Sequence, residues 1–313
     1  MGMITKEMLE KVHFDEEHIE GHIFIQSYKV QLTKAGKEYI VGTLCSGCSM
    51  PFKVWGNYAA FDKLRNTDLQ GKVVNIVGSF SLYNDVYSIL VSDLSVVEGA
   101  NISDFLETRY NADAYGEGLK NLVKGVLSEK GYALVDRLLF STDIWETFKV
   151  EFAASNHHDN CKSGLLAHTY RVVSFMTVVL NMYGENLVKT QDEKDLYIIG
   201  ALLHDLGKVA ELHLGSYTRK SVVTHQFLGV EYLNKDDIVA QYGEEWYYHL
   251  VSILLQHHGE YGMPPKSVSA FIVHLVDNLE AQIQGLLQVV ETASATDSIR
   301  WDDYYLMQYC PQA

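Results

Sequence analysis

Leu203-His204-Asp205-Leu206-Gly207-Lys208 closes the apolar run Asp195-Leu-Tyr-Ile-Ile-Gly-Ala-Leu-Leu203, and this juxtaposition decides how the second half of the chain is read. The apolar residues recur at helical spacing. Adjacent helical residues diverge by about 100°, so His204 and Asp205 approach one point from neighbouring directions while Lys208, four and three residues on, shares their face. A carboxylate has two oxygens and can bridge two cations, whereas an imidazole normally binds one.

Working outward, His168 follows Gly164-Leu-Leu and reads as mid-helix, and His225 precedes Gln226-Phe-Leu-Gly-Val. The pair His257-His258 ends another helix just before Gly259, and Asp277 lies inside the apolar run FIVHLVDNLEAQI. A carboxylate without a partner is expensive to bury there, and a bound cation resolves the cost. A lone buried histidine is more often a hydrogen-bonded core residue, and His13, His18, His22, His213 and His249 are assigned to core or surface. The ordered series, with an Asp in an apolar helix and a Lys beside the His-Asp pair, is poorly explained by chance. Mixed imidazole and carboxylate donors suit Mn²⁺, Fe²⁺, Co²⁺ or Zn²⁺ better than Ca²⁺. For His274 and the pair His157-His158, orienting a ligand, binding substrate and simple packing all stay open.

The series sits on helices. From Asn101 onward, stretches such as GLLAHTYRVVSFMTVVLNMY and SAFIVHLVDNLEAQIQGLLQVVET have apolar residues at helical intervals, predicting an all-α bundle over 100–313. Ser103 or Asp104, Ser141 and Asp192 read as N-caps, and Gly184, Gly215 and Gly259 as stops.

Before residue 100 the texture is that of strands. HIFIQSYKVQLT, EYIVGTLC, MPFKVWG, KVVNIVGSFSLY and VYSILVSDLSVV are rich in β-branched and aromatic residues, with turn chemistry at Ala35-Gly36-Lys37, Ser46-Gly47 and Tyr83-Asn84-Asp85. About five strands, with a short helix in Tyr58–Leu69 before the fourth, predict an OB-type Greek-key barrel over 21–99 after an N-terminal segment of 1–20. Such barrels bind single strands by stacking bases on aromatics beside Lys and Arg. Tyr28, Phe52, Trp55, Tyr83 and Tyr87 are the candidates, half or more of them expected in the core or rim. Cys45-Ser-Gly-Cys48 lacks the four ligands of a closed zinc site and reads as a hairpin turn between two thiols.

The chain is 313 residues long and 47% apolar, enough for two domains with substantial cores. Its net charge of −15 argues against coating nucleic acid by electrostatics alone. The charge is uneven, with seven Lys or Arg against six acids in residues 21–99, a net of +1 that leaves −16 for the remainder. Four cysteines are too few for a disulfide framework. The start lacks a signal-peptide pattern and no apolar run approaches the roughly 20 residues of a membrane span, so the expectation is a cytoplasmic protein with no membrane partner. No heptad run specifies self-association, and a homo-oligomer stays open.

The constellation His168, His204-Asp205, His225, His257-His258, Asp277 resembles that of the HD-domain metal-dependent phosphohydrolases. Several stretches resemble more closely the YhaM-type 3′-to-5′ exoribonucleases of Gram-positive bacteria, which place an OB-type domain before an HD domain. They are Asn101-Ile-Ser-Asp-Phe-Leu-Glu-Thr108, Asn156-His-His158, Ser163-Gly-Leu-Leu-Ala-His168, Leu203-His-Asp-Leu-Gly-Lys-Val-Ala-Glu-Leu212, His257-His-Gly259 and His274-Leu-Val-Asp-Asn-Leu-Glu-Ala281. In the barrel only Lys53-Val-Trp55 carries the likeness. Gly259–Pro265 is shorter than its family counterpart, which bears on substrate entry.

The resemblance implies two divalent ions, most readily Mn²⁺. The first would be held by His168, His204, Asp205 and Asp277, and the second by Asp205, His225, His257 and His258. It implies Asp205 and Lys208 as catalytic residues, and Lys208, His157, His158, Trp55, Phe52 and Lys53 as contacts for the substrate. That substrate is single-stranded RNA, or DNA, shortened from its 3′ end to nucleoside 5′-monophosphates. The alternative is an HD phosphohydrolase acting on a small or cyclic nucleotide, with the barrel as a regulatory or assembly module.

Overall fold

The structure, a computed structural model, describes residues 2–11, 16–83, 86–154, 159–292, 298–301 and 304–307. The chain divides into two compact units, Met1–Arg109 with His213–Ser216, and Tyr110–Leu212 with Tyr217–Ala313.

After α1 (Lys6–Glu10), the first unit contains β1 (His18–Leu32), β2 (Glu38–Cys45), β3 (Ser49–Trp55), α2 (Ala59–Asn66), β4 (Val73–Tyr83) and β5 (Val86–Val96). The strands form a closed barrel in the order β1-β2-β3-β5-β4. The length of β1 makes closure possible: His18–Phe24 pairs with β4 and Phe24–Leu32 with β2, with an irregularity between Ile25 and Ser27 where the strand changes partner. The β3–β5 pairing is parallel and the others are antiparallel. This strand order, with a helix between the third and fourth strands, is that of the OB-type barrel.

Side-chain alternation divides the strands between two faces. Ile23, Ile40, Phe52, Val54, Ile76, Ile89 and Val91 fill the interior. Register aligns Gln31, Tyr39 and Trp55 in one row and Lys29, Val41 and Lys53 in the next. The Tyr39 and Trp55 rings lie 5.2 Å apart at 31°, and the Lys53 ammonium lies 5.7 Å from the centre of the exposed Tyr83 ring.

This corrects part of the predicted stacking set. Phe52 is 1% exposed and belongs to the barrel core, because it faces inward between Lys53 and its neighbour Pro51. The Tyr28 hydroxyl is engaged by the Leu64 and Thr67 carbonyls and by the Leu69 amide, anchoring the end of α2. Tyr87 packs against the core. Asn84 and Asp85, at the predicted hairpin turn, lie outside the described residues. The change of texture near residue 100 precedes the end of the first unit: Phe105 is buried, and its carbonyl accepts from the Gly47 amide and the Cys45 thiol.

The second unit contains α3 (Ala112–Val126), α4 (Glu129–Val135), α5 (Ile144–Val150), α6 (Gly164–Leu187), α7 (Gln191–Leu203), α8 (Lys208–Glu211), α9 (His225–Glu231), α10 (Lys235–Tyr242), α11 (Glu244–Gln256) and α12 (Val268–Thr292). A short ribbon of Ser298–Trp301 with Tyr304–Met307 interrupts the all-helical pattern, and another pairs Leu212–His213 with Ser216–Tyr217 around the segment His213–Ser216 that belongs to the first unit. Apolar faces of α3, α4, α6, α7, α11 and α12 share one core including Leu119, Leu134, Val172, Ile198, Leu250 and Val273.

The caps differ from those predicted. Asn111, Ser128 and Thr190 accept from their helices' first-turn amides, and Thr190 forms a reciprocal capping box with Glu193 in place of a cap at Asp192. Ser141 follows a helical segment instead of starting one, Gly184 lies within α6, and Asn101 caps the short turn containing Ser103 and Asp104. By length and composition alone α6 is apolar enough to cross a membrane, contrary to the expectation that no run approaches that length; it carries buried His168, and half of the apolar window is buried inside the protein.

Phe52→Ala is expected to cost about 3–5 kcal/mol, as for other buried aromatic truncations, and to lower the melting temperature measurably. Trp55→Ala, at a side chain 38% exposed, is expected to change melting little, and to weaken long single strands more than dinucleotides if the barrel stacks bases. Equal melting losses for the two variants would contradict this division of faces.

Candidate metal centre

The His-Asp pair lies just beyond a helix, a departure from the continuous helix expected. Regular α7 ends at Leu203, and His204 to Gly207 form turns before α8 begins at Lys208. The amides of Leu206 and Lys208 donate to carbonyls three residues back, at Leu203 and Asp205. Such tight turns nearly eclipse side chains three apart, and the Lys208 ammonium accordingly reaches Asp205 Oδ2 at 2.6 Å. Gly207 permits the turn to pack against α9, for a Cβ there would stand 1.9 Å from the His225 carbonyl oxygen.

Four other elements converge on this turn. α6 brings His168 from the turn following its start, α9 brings His225 as its first residue, the end of α11 brings His257 and His258, and the middle of α12 brings Asp277. The donors form two groups, His168, His204 and Asp277 in one and Asp205, His225, His257 and His258 in the other.

In the first group His168 Nε2 lies 3.2 Å from His204 Nε2 and 3.2 Å from Asp277 Oδ1. Asp205 Oδ2 is 3.6 and 3.4 Å from the same two imidazole nitrogens. In the second group the other oxygen, Asp205 Oδ1, is 3.4 Å from His225 Nε2 and 3.5 Å from His257 Nε2. Donors about 2.1 Å from one ion at tetrahedral angles are about 3.4 Å from each other, so these separations are edges of a coordination polyhedron. Asp205 Oδ1, His225 Nε2 and His257 Nε2 are buried without a hydrogen-bond partner among the described residues. A divalent cation satisfies such lone pairs, and the residues fit it.

The rings of His168, His204, His225 and His257 are turned the same way. The Nδ1 atoms of His204 and His257 lie 2.8 and 3.0 Å from the carbonyl oxygens of Ala201 and Leu254. Those of His168 and His225 meet the carboxylates of Glu280 and Glu211, the latter at 2.9 Å. Holding Nδ1–H outward leaves the Nε2 lone pairs directed inward. Glu280 is itself held by Arg171, which also pairs with buried Asp159, and Asp159 accepts from the Tyr110 hydroxyl.

Glu280, Arg171, Asp159 and Glu211 do not stand out in the sequence. Glu280 and Arg171 follow Asp277 and His168 by three residues, the spacing that places side chains on one helix face, so a signal existed. His274 bonds through Nδ1 to the His257 carbonyl at 2.7 Å and packs on Gly259, bracing the turn that carries His257 and His258. His157 and His158 lie outside the described residues. Of the remaining substrate-contact candidates, Lys208 borders the cluster, and Lys53 and Trp55 lie in the barrel unit.

The electrostatics of the cluster favour positive charge at its centre. Burial works against charge on His168, but the Asp277 and Glu280 carboxylates outweigh it and push its pKa up to about 9. For His204 burial is likewise outweighed, by Asp205 and Asp277, and the pKa rises to about 10. Asp205 and Asp277 stay well below the usual carboxylate range despite burial, Asp205 through Lys208 and His204, and Asp277 through His204 and His168. His257 is pushed down by burial. Burial and then the neighbouring imidazoles push His258 down to about 3, so it is neutral and free to donate a lone pair.

Protons on His168 and His204 therefore compensate the buried carboxylates when no cation is bound, and a cation must expel them. Apparent Mn²⁺ affinity at the group of His168, His204 and Asp277 is expected to rise with pH up to the pKa values of about 9 and 10, with proton release on binding near neutrality. Titration calorimetry in buffers of different ionisation enthalpy measures the release; affinity independent of pH and buffer would contradict it. Glu280→Gln, which keeps the shape and removes the charge behind His168, is expected to weaken Mn²⁺ binding about 10–100-fold in the same calorimetry, and unchanged affinity would contradict its role.

Comparison with known proteins agrees with this geometry. Residues 165–282 match the HD domain family. The chain is 26% identical over 294 residues to the 3′-5′ exoribonuclease YhaM of Bacillus subtilis (strain 168), covering 90% of each chain. It is 26% identical over 295 residues to the protein of that name from Shouchella clausii (strain KSM-K16), covering 88% of this chain and 87% of that one. The second OB-fold domain of replication protein A from Methanococcus maripaludis aligns at 14% identity with a TM-score of 0.21, covering 28% of this chain and 90% of that one; the barrel assignment rests instead on strand order. Residues 165–282 of the helical unit resemble an HD domain, the whole chain resembles the YhaM-type exoribonucleases, and both findings support a hydrolase of the nuclease or phosphohydrolase kind.

Proposed function

We propose that the protein is a metal-dependent exonuclease that shortens single-stranded RNA from its 3′ end and releases nucleoside 5′-monophosphates. The observation that carries this reading is the buried Asp205 carboxylate with its two oxygens directed to two separate donor groups. The exoribonuclease name of the relatives supports the substrate and direction.

His168, His204, Asp277 and Asp205 Oδ2 would hold one ion, and Asp205 Oδ1, His225, His257 and His258 the other, with Mn²⁺ best suited to this mixed set. When bound, a pair of divalent ions supplies a nucleophilic hydroxide at neutral pH and positive charge to clamp phosphate oxygens. The protein's own part would be to offer the two Asp205 oxygens to the two donor groups and to limit competing water by burial. The Lys208 ammonium, 2.6 Å from Asp205 Oδ2, adds positive charge where the phosphate becomes more negative in the transition state. In the barrel, the Trp55 and Tyr39 rings and the Lys53 ammonium give the strand a stacking surface with a cation beside it.

The test is a 5′-labelled single-stranded RNA incubated with metal-stripped protein, with and without Mn²⁺, with the products resolved by length. A Mn²⁺-dependent ladder shortening from the 3′ end is expected, and Asp205→Ala should abolish it while keeping the fold. Wild-type rates in that variant would refute the site. Intact RNA alongside turnover of small or cyclic nucleotides would favour the alternative phosphodiesterase.

A further inference from the structure

A cleft of about 690 Å³ opens within the second unit, and His225, His258 and Lys208 line it. Its volume lies in the range of small-molecule sites and accommodates a nucleotide. The remaining lining has a different chemistry. Phe227 is 49% exposed, Tyr217 58% and Tyr261 82%, and all three border the same cleft. Exposed apolar side chains grouped around one opening with polar neighbours are a mark of binding sites.

Gln226, next in sequence to His225 and Phe227, lines the same cleft and is only 8% exposed. Its amide oxygen is buried without a hydrogen-bond partner among the described residues. An unmet buried acceptor carries a free-energy cost and therefore points to a partner that arrives with a ligand. By turning about its last bond the amide can present either its carbonyl or its NH₂ group to the cleft.

We propose that this cleft receives the nucleobase of the nucleotide being removed, the base stacking on Phe227 and Tyr261 while Gln226 hydrogen-bonds its edge. The inference rests on the nuclease reading and deepens it. Every base has a π-face and offers a donor beside an acceptor on its edge, so a reversible amide accepts any of them. The site therefore requires a base but discriminates weakly among bases, and it excludes a terminal nucleotide that remains stacked in a duplex.

The experiment measures equilibrium binding of 5′-AMP, 5′-UMP and ribose 5-phosphate to the full-length Mn²⁺-loaded protein by calorimetry. The two nucleotides are expected to bind within about threefold of each other and at least about tenfold more tightly than ribose 5-phosphate, in the range of a base–aromatic stack. Phe227→Ala and Gln226→Ala should each shrink that tenfold gap while leaving ribose 5-phosphate binding unchanged, which also reports that the variants are folded. Equal affinity for all three ligands in the wild-type protein, or equal losses for all three in the variants, would overturn the inference. Asp205→Ala separates the two levels. Loss of ribose 5-phosphate binding in that variant together with no effect of the base refutes only the base site, whereas phosphate binding indifferent to Asp205 refutes the nuclease reading and this inference with it.

Discussion

Everything in the helical unit is arranged around the burial of the Asp205 carboxylate. A lone carboxylate taken from water to that depth would cost several kcal/mol, and here a second one, Asp277, lies close by. The protein compensates with one ammonium, from Lys208, and with imidazoles whose Nε2 atoms face inward. The outward nitrogens are fixed by backbone carbonyls at His204 and His257 and by carboxylates at His168 and His225. This orientation stabilises a cation-free state only by retaining protons. It is better satisfied by divalent cations, since they meet the buried lone pairs that no hydrogen bond from the described residues reaches.

That constraint also explains the local backbone. α7 stops at Leu203, and the tighter turn that follows brings Lys208 into line with Asp205, three residues before it. Gly207 is required where α9 comes close, and Gly259 where the His274 ring crosses the turn after His257. Core packing of the long helices supplies the rigidity with which these short irregular pieces are held.

The barrel strands and the helical half were legible in the sequence because period-2 and period-3.6 patterns report which face is buried. The donor series was legible too, since histidines and an Asp inside apolar helices are costly to bury unless something there binds them. Three kinds of feature were not. Phe52 looked like a stacking residue because alternation tells that Phe52 and Lys53 face opposite ways but not which way is in. The supporting Glu280, Arg171, Asp159 and Glu211 are charged residues whose burial comes from other elements, and only the three-residue spacings to His168 and Asp277 hinted at two of them. The end of the first unit at Arg109 depends on Phe105 folding back on the Cys45–Gly47 turn, a long-range contact that no local pattern encodes.

The overall charge of −15 gains a physical meaning from the same site. A strongly acidic protein draws little affinity for a polyanion from its surface field, so under the proposed function cations held at the cluster and the nearly neutral barrel would have to carry the attraction. The claim on which this account stands is that Asp205 bridges two cations. Anomalous diffraction from crystals soaked in Mn²⁺ tests it most directly. The account predicts two peaks about 3.5–4 Å apart on either side of the Asp205 carboxylate, one beside His168, His204 and Asp277 and the other beside His225, His257 and His258. A single peak, or peaks that leave Asp205 uncoordinated, would contradict it.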